Sequence, residues 1–420
     1  MRHTRRRATD QLLLPAAFLA TLLGGLSCED QPGKTDHDAE SGVAQDSTPP
    51  PDVKIPADAG SPDAGEPPVG VPYEYCSLPF FKLHIGGPDE EVAGLGLWDG
   101  RLVYSRGPKD RPAWDVYLLS LTDCLEYKLT GQARATTTYI RGDEVFWSDN
   151  RAYQTQPEYH CKDIYRYDLS SWTEEQLTDD PLCEWSPQTN GRFLVFERSS
   201  TQDAASPHAL LLWDRQEGTT IQLSAPGTNP GYHDITDRYL AWSGYTDLAG
   251  SLGKDVFYLD LVTGEETHVP NSASYYCYDV YLWGEYLSYL CSEYWVQWPW
   301  HLFLHHIPTG EELHLEGGEE PTRGVMGGAI HEHLIVFNTT RYGLGGTTAV
   351  LYDIETGVQR RLTSMPSYLV ATKVFYPWVV FILDLGSYVF EYYIANLEAL
   401  EVVDATGHLT PGDPVIDPPL

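Results

Sequence analysis

A repeat in the mid-forties constrains this chain more than any other feature. A large aromatic side chain inside a short apolar run recurs as Tyr104, Trp147, Phe196, Trp242, Tyr289, Phe337 and Phe381, at steps of 43, 49, 46, 47, 48 and 44 residues. A second segment keeps the same beat: DVYLLSL from Asp115, DIYRYDL from Asp163, ALLLWDR from Ala209 and DVFYLDL from Asp255. It continues as HLFLHHI from His301, AVLYDIE from Ala349 and, more weakly, VFEYYIANL from Val389. Within one period, Tyr139 to Thr178, large apolar and polar residues alternate in four short runs: one ending at Gly142, Glu144 to Ser148, Asp163 to Leu169, and one ending at Leu177-Thr178. Alternation at period two broken by turn residues marks half-buried antiparallel strands. Four strands per period of this length define a blade, and seven periods predict an all-β, seven-bladed β-propeller of four-stranded antiparallel blades.

The ends read differently. Arg2, Arg5, Arg6 and Arg7 precede an apolar run from Leu12 to Leu26, which is too short and interrupted for a comfortable membrane span and suits an export signal over residues 1–27. The run ends at Leu26-Ser27-Cys28, which resembles a bacterial lipoprotein cleavage site and makes Cys28 the expected lipidation point. Glu29 to Gly70 holds ten acidic residues against Lys34 and Lys54, many prolines and no aromatic residue. Such a segment buries too little apolar area to offset chain entropy, so 28–72 is expected to be a lipid-bearing, disordered tether. The propeller is placed at 73–409 and a disordered tail at 410–420. Residues Ser77 to Ile85 could add an outer strand to the last blade and so close the ring.

A formal net charge of −33 argues against nucleic acid or an anionic lipid surface as the main partner. The seven cysteines fit export. With Cys28 lipidated six remain, an even number suited to an oxidising compartment. Cys277 and Cys291 lie symmetrically about Gly284, so a hairpin turning there sets them face to face. Cys161 with Cys183 is the next pairing, and Cys76 with Cys124 follows by elimination, out of fifteen possible connectivities. A zinc site is the rival reading of the cysteines, and no CxxC or clustered Cys/His spacing supports it.

The string Phe146-Trp147-Ser148-Asp149-Asn150-Arg151, followed by Asp163-Ile164-Tyr165 and the closing Leu177-Thr178, resembles the TolB-like (WD-repeat-related) propeller repeat of bacterial periplasmic and surface proteins. The resemblance runs from about Val92 to Asp404. It implies the propeller fold and an exported, membrane-anchored lipoprotein facing the periplasm or cell surface of a Gram-negative bacterium. Function is implied far less, because propellers host binding scaffolds and enzymes alike.

Strand order puts the connections between strands two and three, and from blade to blade, on one face, where they are long; binding is usually placed on such loops. Candidate loops are Arg151 to His160, Asp180 to Ser186, Asn229 to His233, Glu293 to Trp300, Glu319 to Met326 and Arg341 to Gly346. Trp295, Trp298 and Trp300 fall within six residues, and flat indoles with an N–H donor suit sugar rings or a protein anchor. Tyr153, Tyr159, His160 and Trp185 could line the same face, and Arg151, Arg323 and Arg341 are basic points able to grip a carboxylate. For each of these the plain alternative is loop packing or local ion pairing.

Catalytic signals are few. No serine elbow, HExxH helix or phosphate-binding glycine loop is present. His331-x-His333 lacks a third ligand, His305-His306 points to opposite faces of a strand, and no metal or cofactor is expected. Asp115, Asp163 and Asp255 recur at one blade position and are expected to bond nearby backbone. The chain is therefore expected to be a binding or scaffolding module for an envelope protein or glycan, touching the membrane only through its lipid. The alternative is a polysaccharide-active lyase or glycosidase with a site in the propeller funnel, assembled from several blades.

Overall fold

The computed structural model describes residues 65–417, apart from 84–89, 109–113, 132, 152–160, 180, 202–207, 225–229, 246–253, 270–275, 293–299, 317–323, 342–345, 365–368 and 385–389. It is a seven-bladed β-propeller with four antiparallel strands in each blade and no helix among the described residues. The repeat read in the sequence maps directly onto the blades. In blade two the strands are Ala135–Arg141, Glu144–Asp149, Asp163–Asp168 and Thr173–Gln176. All seven second-strand aromatics are buried, with Trp242, at 3 % exposed, the most accessible of them.

Each blade is a thin sheet that cannot bury an apolar face alone, so the core is divided among the seams. Seven apolar clusters result, and each is shared by two neighbouring blades. Between blades two and three, for example, Phe146 and Ile164 meet Leu194, Phe196 and Leu211.

The repeating Leu-Thr at the end of a blade has a local cause. The hydroxyl of Thr130, Thr178 or Thr363 accepts the N–H of Val116, Ile164 or Ala349 at the start of the third strand, at 2.9, 2.8 and 3.1 Å. The recurrent aspartates beside them are structural, as expected: Asp115 accepts from Thr130 Oγ1 and the Ala133 N–H, and Asp163 from Gln176 Nε2.

The ring closes through the N-terminal segment. Phe80–Lys82 pairs antiparallel with Phe390–Asn396 as the fourth strand of blade seven, within the stretch expected to do so. Just before it, Val71–Pro72 pairs with the outer strand of blade one. All three expected disulfides are present: Cys277–Cys291, Cys161–Cys183 and Cys76–Cys124. Cys277 and Cys291 face each other in the ladder, as the symmetry about Gly284 requires.

Two boundaries differ from expectation. The last residues placed in the tether are folded, since Gly65 donates its N–H to the Ser171 carbonyl and Val71–Pro72 is paired. The expected tail is docked through Ile416, which is 2 % exposed and bridged to Thr363. Prolines hid this segment because an extended chain can dock by side chains and single bonds without forming a ladder. Arg360 holds it, donating to the carbonyls of Glu401, Val402, Thr410 and Asp413. Cys28 and the segment expected to serve as an export signal lie outside the described residues.

Candidate functional site

The innermost strand of every blade carries a β-bulge at the same depth, between Ala93/Leu95, Thr136/Tyr139, Trp185/Gln188, Gly231/His233, Tyr278/Tyr281, Gly327/Ala329 and Ala371/Lys373. A bulge bends its strand and re-aims the following side chains. Beyond the bulges, alternate residues of the seven strands point into the central channel, which encloses about 950 Å³. Two residues before each short turn, these strands present a ring of Gly96, Tyr139, Gln188, Asp234, Tyr281, Ala329 and Lys373. Five of the seven members are polar. Nearer the short-turn end, Trp98, Arg141, Thr236, Trp283, His331 and Phe375 form a second ring.

The second ring is an aromatic collar. Trp98 lies 5.0 Å from Phe375 and 6.3 Å from Trp283, and the His331 ring sits 3.9 Å from Trp283 and 3.8 Å from Phe375. Burial pushes the His331 imidazole down to about 3, so it is neutral and accepts the Tyr376 N–H at Nδ1. Arg141 covers the Trp98 face at 4.9 Å while donating to the Ile235 carbonyl and pairing with Asp237.

The polar ring is tuned by burial. Lys373 has its ammonium destabilised by surrounding protein, an effect that Asp234 and Asp279 oppose. Burial raises Asp234 although it accepts the N–H groups of Leu282 and Ile235 at 2.8 and 3.0 Å. Asp279, the bulge residue of blade five, is pushed up to about 7, again by burial, against the pull of Lys373. Tyr281 is held well above its ordinary value by burial and by those two carboxylates. Behind the wall, burial raises Glu197 to about 7 despite Lys254 and a bond from Ser186, and lowers His233 to about 4. Burial likewise raises the Tyr139 phenol, so the channel wall combines an amine, a carboxyl and two phenols whose charged forms are disfavoured, with the Asp279 carboxyl close by at the bulge, a pattern concentrated at functional sites.

The loop residues singled out from sequence fare unevenly. Tyr153, Tyr159, His160, Trp295, Trp298 and Arg323 lie outside the described residues. Trp300 starts the third strand of blade five, half-buried and edge-on to Tyr278, and Trp185 stands edge-on to His208. Arg151 pairs with Asp149 and Glu174 over the Tyr165 ring, and Arg341 pairs with Glu316, the local ion pairing that was the plain alternative. His331 and His333 do not share a site, because the first is stacked in the collar while the second faces Asp353 and His408. Sequence reading missed the polar ring because its members come from separate blades. The signal that finds them is their shared position two residues before the turn.

No family model and no curated protein matches the sequence. Solved structures with the same fold do. An oligogalacturonate lyase in complex with manganese is 15% identical with a TM-score of 0.53, covering 79% of this chain and 98% of its own. The β-propeller domain of the trilobed protease from Pyrococcus furiosus is 13% identical with a TM-score of 0.54, covering 73% and 95%. The acylaminoacyl peptidase of Pyrococcus horikoshii is 12% identical with a TM-score of 0.52, covering 73% of this chain and 50% of its own. At such identities the likeness defines the class of architecture, a β-propeller of the kind found in these enzymes.

Proposed function

We propose that this is an exported, lipid-anchored envelope protein, with a TolB-like propeller, that binds a glycan in its central channel. One observation carries the reading: a channel of about 950 Å³, within the usual range of ligand sites, presents a polar ring beside an aromatic collar. Tyr139, Gln188, Asp234, Tyr281 and Lys373 offer donors and acceptors from five blades, and Trp98, Trp283 and Phe375 offer apolar faces. Sugar rings ask for that combination, with C–H faces on indoles and hydroxyls on fixed polar groups. Trp300 would extend the surface on the long-loop side. The test is calorimetric titration of the full chain and of the Lys373→Met and Trp283→Ala variants with soluble envelope oligosaccharides. A ligand bound by the wild type and weakened at least about tenfold by both changes supports the reading. Binding unaffected by either change, or no binding to any oligosaccharide, overturns it.

A second reading is favoured by the depressed Lys373 amine near the acid of Asp279, since a base and an acid with pKa values displaced toward neutrality suit proton transfer. A polysaccharide lyase would use them to remove a proton beside a uronate carboxylate and release an unsaturated product. Ultraviolet absorbance of that product, lost in Lys373→Met, identifies this activity.

A further inference from the structure

The blades provide an internal comparison at the turn between strands three and four. In blades three and four an aspartate ends the third strand and splits its oxygens between two tasks. Oδ1 of Asp214 accepts the N–H groups of Gln216 and Glu217, and Oδ1 of Asp260 those of Val262 and Thr263. Oδ2 pairs with an arginine placed just before the second strand, Arg192 at 2.5 Å in blade three and Arg238 at 3.0 Å in blade four. Blade six keeps the first task, since Asp353 Oδ1 accepts from Glu355 and Thr356. It changes the second. The residue at the arginine position is His333, and the C-terminal segment brings His408, whose Nδ1 lies 3.0 Å from Asp353 Oδ2.

Two imidazoles thus replace one guanidinium around a fully buried carboxylate. The rings of His333 and His408 are 4.6 Å apart, and one ligand atom from each of the three residues lies within 4.8 Å of the others. Guanidinium forks bind carboxylates but never metals, whereas two imidazoles and a carboxylate are a common ligand set for zinc. Zinc bonds of about 2.0–2.1 Å place tetrahedral ligand atoms about 3.3 Å apart; the His408–Asp353 spacing of 3.0 Å is close to that, and the His333 ligand atom lies within 4.8 Å of both. The surroundings supply orientation. The Leu409 N–H donates to Asp353 Oδ2 at 3.1 Å, and the Gly407 carbonyl lies 3.1 Å from His333 Nε2. Glu355, 3.6 Å from His408 Nε2, lies at the other ring nitrogen and would orient the imidazole from outside the site.

We propose that His333, Asp353 and His408 form a zinc site that clasps the C-terminal segment to blade six. The ion displaces the proton between His408 Nδ1 and Asp353, and leaves at least one position for water. None of the three ligands lines the channel, although His333 follows His331 of the collar by two residues.

The test uses the full chain with His333→Gln and His408→Gln, stripped with chelator and then equilibrated with zinc chloride. Arg360 holds the same segment by several bonds, so neither change should release it. The wild type is expected to retain one more equivalent of zinc than either variant, because other surface histidines are common to all three. Zinc should also slow proteolytic release of the C-terminal segment about tenfold in the wild type. Equal zinc in all three proteins overturns the proposal, as does a wild type that retains none. Should both variants fail to fold, the wild-type proteolysis decides: unchanged cleavage with zinc overturns the clasp.

Discussion

Asp279 is 6 % exposed at the bulge of blade five, and its Oδ1 has no hydrogen-bond partner among the described residues. Burial pushes its carboxyl from 3.8 up to about 7. Each pKa unit is worth about 1.4 kcal/mol, so ionising this group in the folded chain costs about 4 kcal/mol more than in the unfolded chain. The sign follows from proton counts. Below about pH 4 both states hold the proton and the residue is neutral in its effect. Between about 4 and 7 the unfolded chain has released it while the folded chain keeps it, so stability falls as pH rises. Above about 7 both are ionised and the loss is complete. Asp279→Asn removes the titration while keeping the shape. The variant should match the wild type near pH 4 and exceed it by up to about 4 kcal/mol at pH 8. Reversible denaturant unfolding, followed by tryptophan fluorescence at several pH values, measures the difference directly. Buried groups that Asp279 does not influence, Glu197 among them, act equally on both proteins and cancel. A difference that stays constant from pH 4 to 8 would refute the reasoning.

Two further predictions concern the frame of the channel. Gly94 has a φ of +55° and an added Cβ would lie 2.7 Å from the backbone nitrogens of Thr137 and Thr138, so Gly94→Ala should destabilise by at least about 2 kcal/mol. Gly142, with a φ of +57° and nothing within 4 Å, should lose only about 1 kcal/mol on the same change, and denaturant midpoints compare the two. Replacing both Cys277 and Cys291 by serine opens a short covalent loop with a separation of 14 residues and should cost about 3 kcal/mol, read from the same unfolding curves.

The blades were legible because each repeat marks strand two with a buried aromatic, and several add an aspartate opening strand three and a hydroxyl closing strand four that bond within the blade. The pairing of Cys277 with Cys291 was legible for the same reason, being contained in one hairpin. Residues that act across blades left no such trace. Asp234 and Lys373 stand 139 positions apart, and the bulge residues, two of them at Thr137 and Thr138, interrupt the simple alternation that would point to the channel. His408 was equally hidden, since its partners Asp353 and His333 belong to blade six and three strands of blade seven lie between them in the chain.

The way the ring is shut has a mechanical consequence. Residues 71–82 touch both sides of the seam: Val71–Pro72 pairs with blade one and Phe80–Lys82 completes blade seven. Between them, Cys76 is bonded to Cys124 of blade one. A force applied at the N-terminal side of Val71 therefore strips two residues of pairing and then meets a covalent stop. The load passes into blade one, and the strand that latches blade seven feels none of it. Reduction of that one bond would route the same pull straight to the latch.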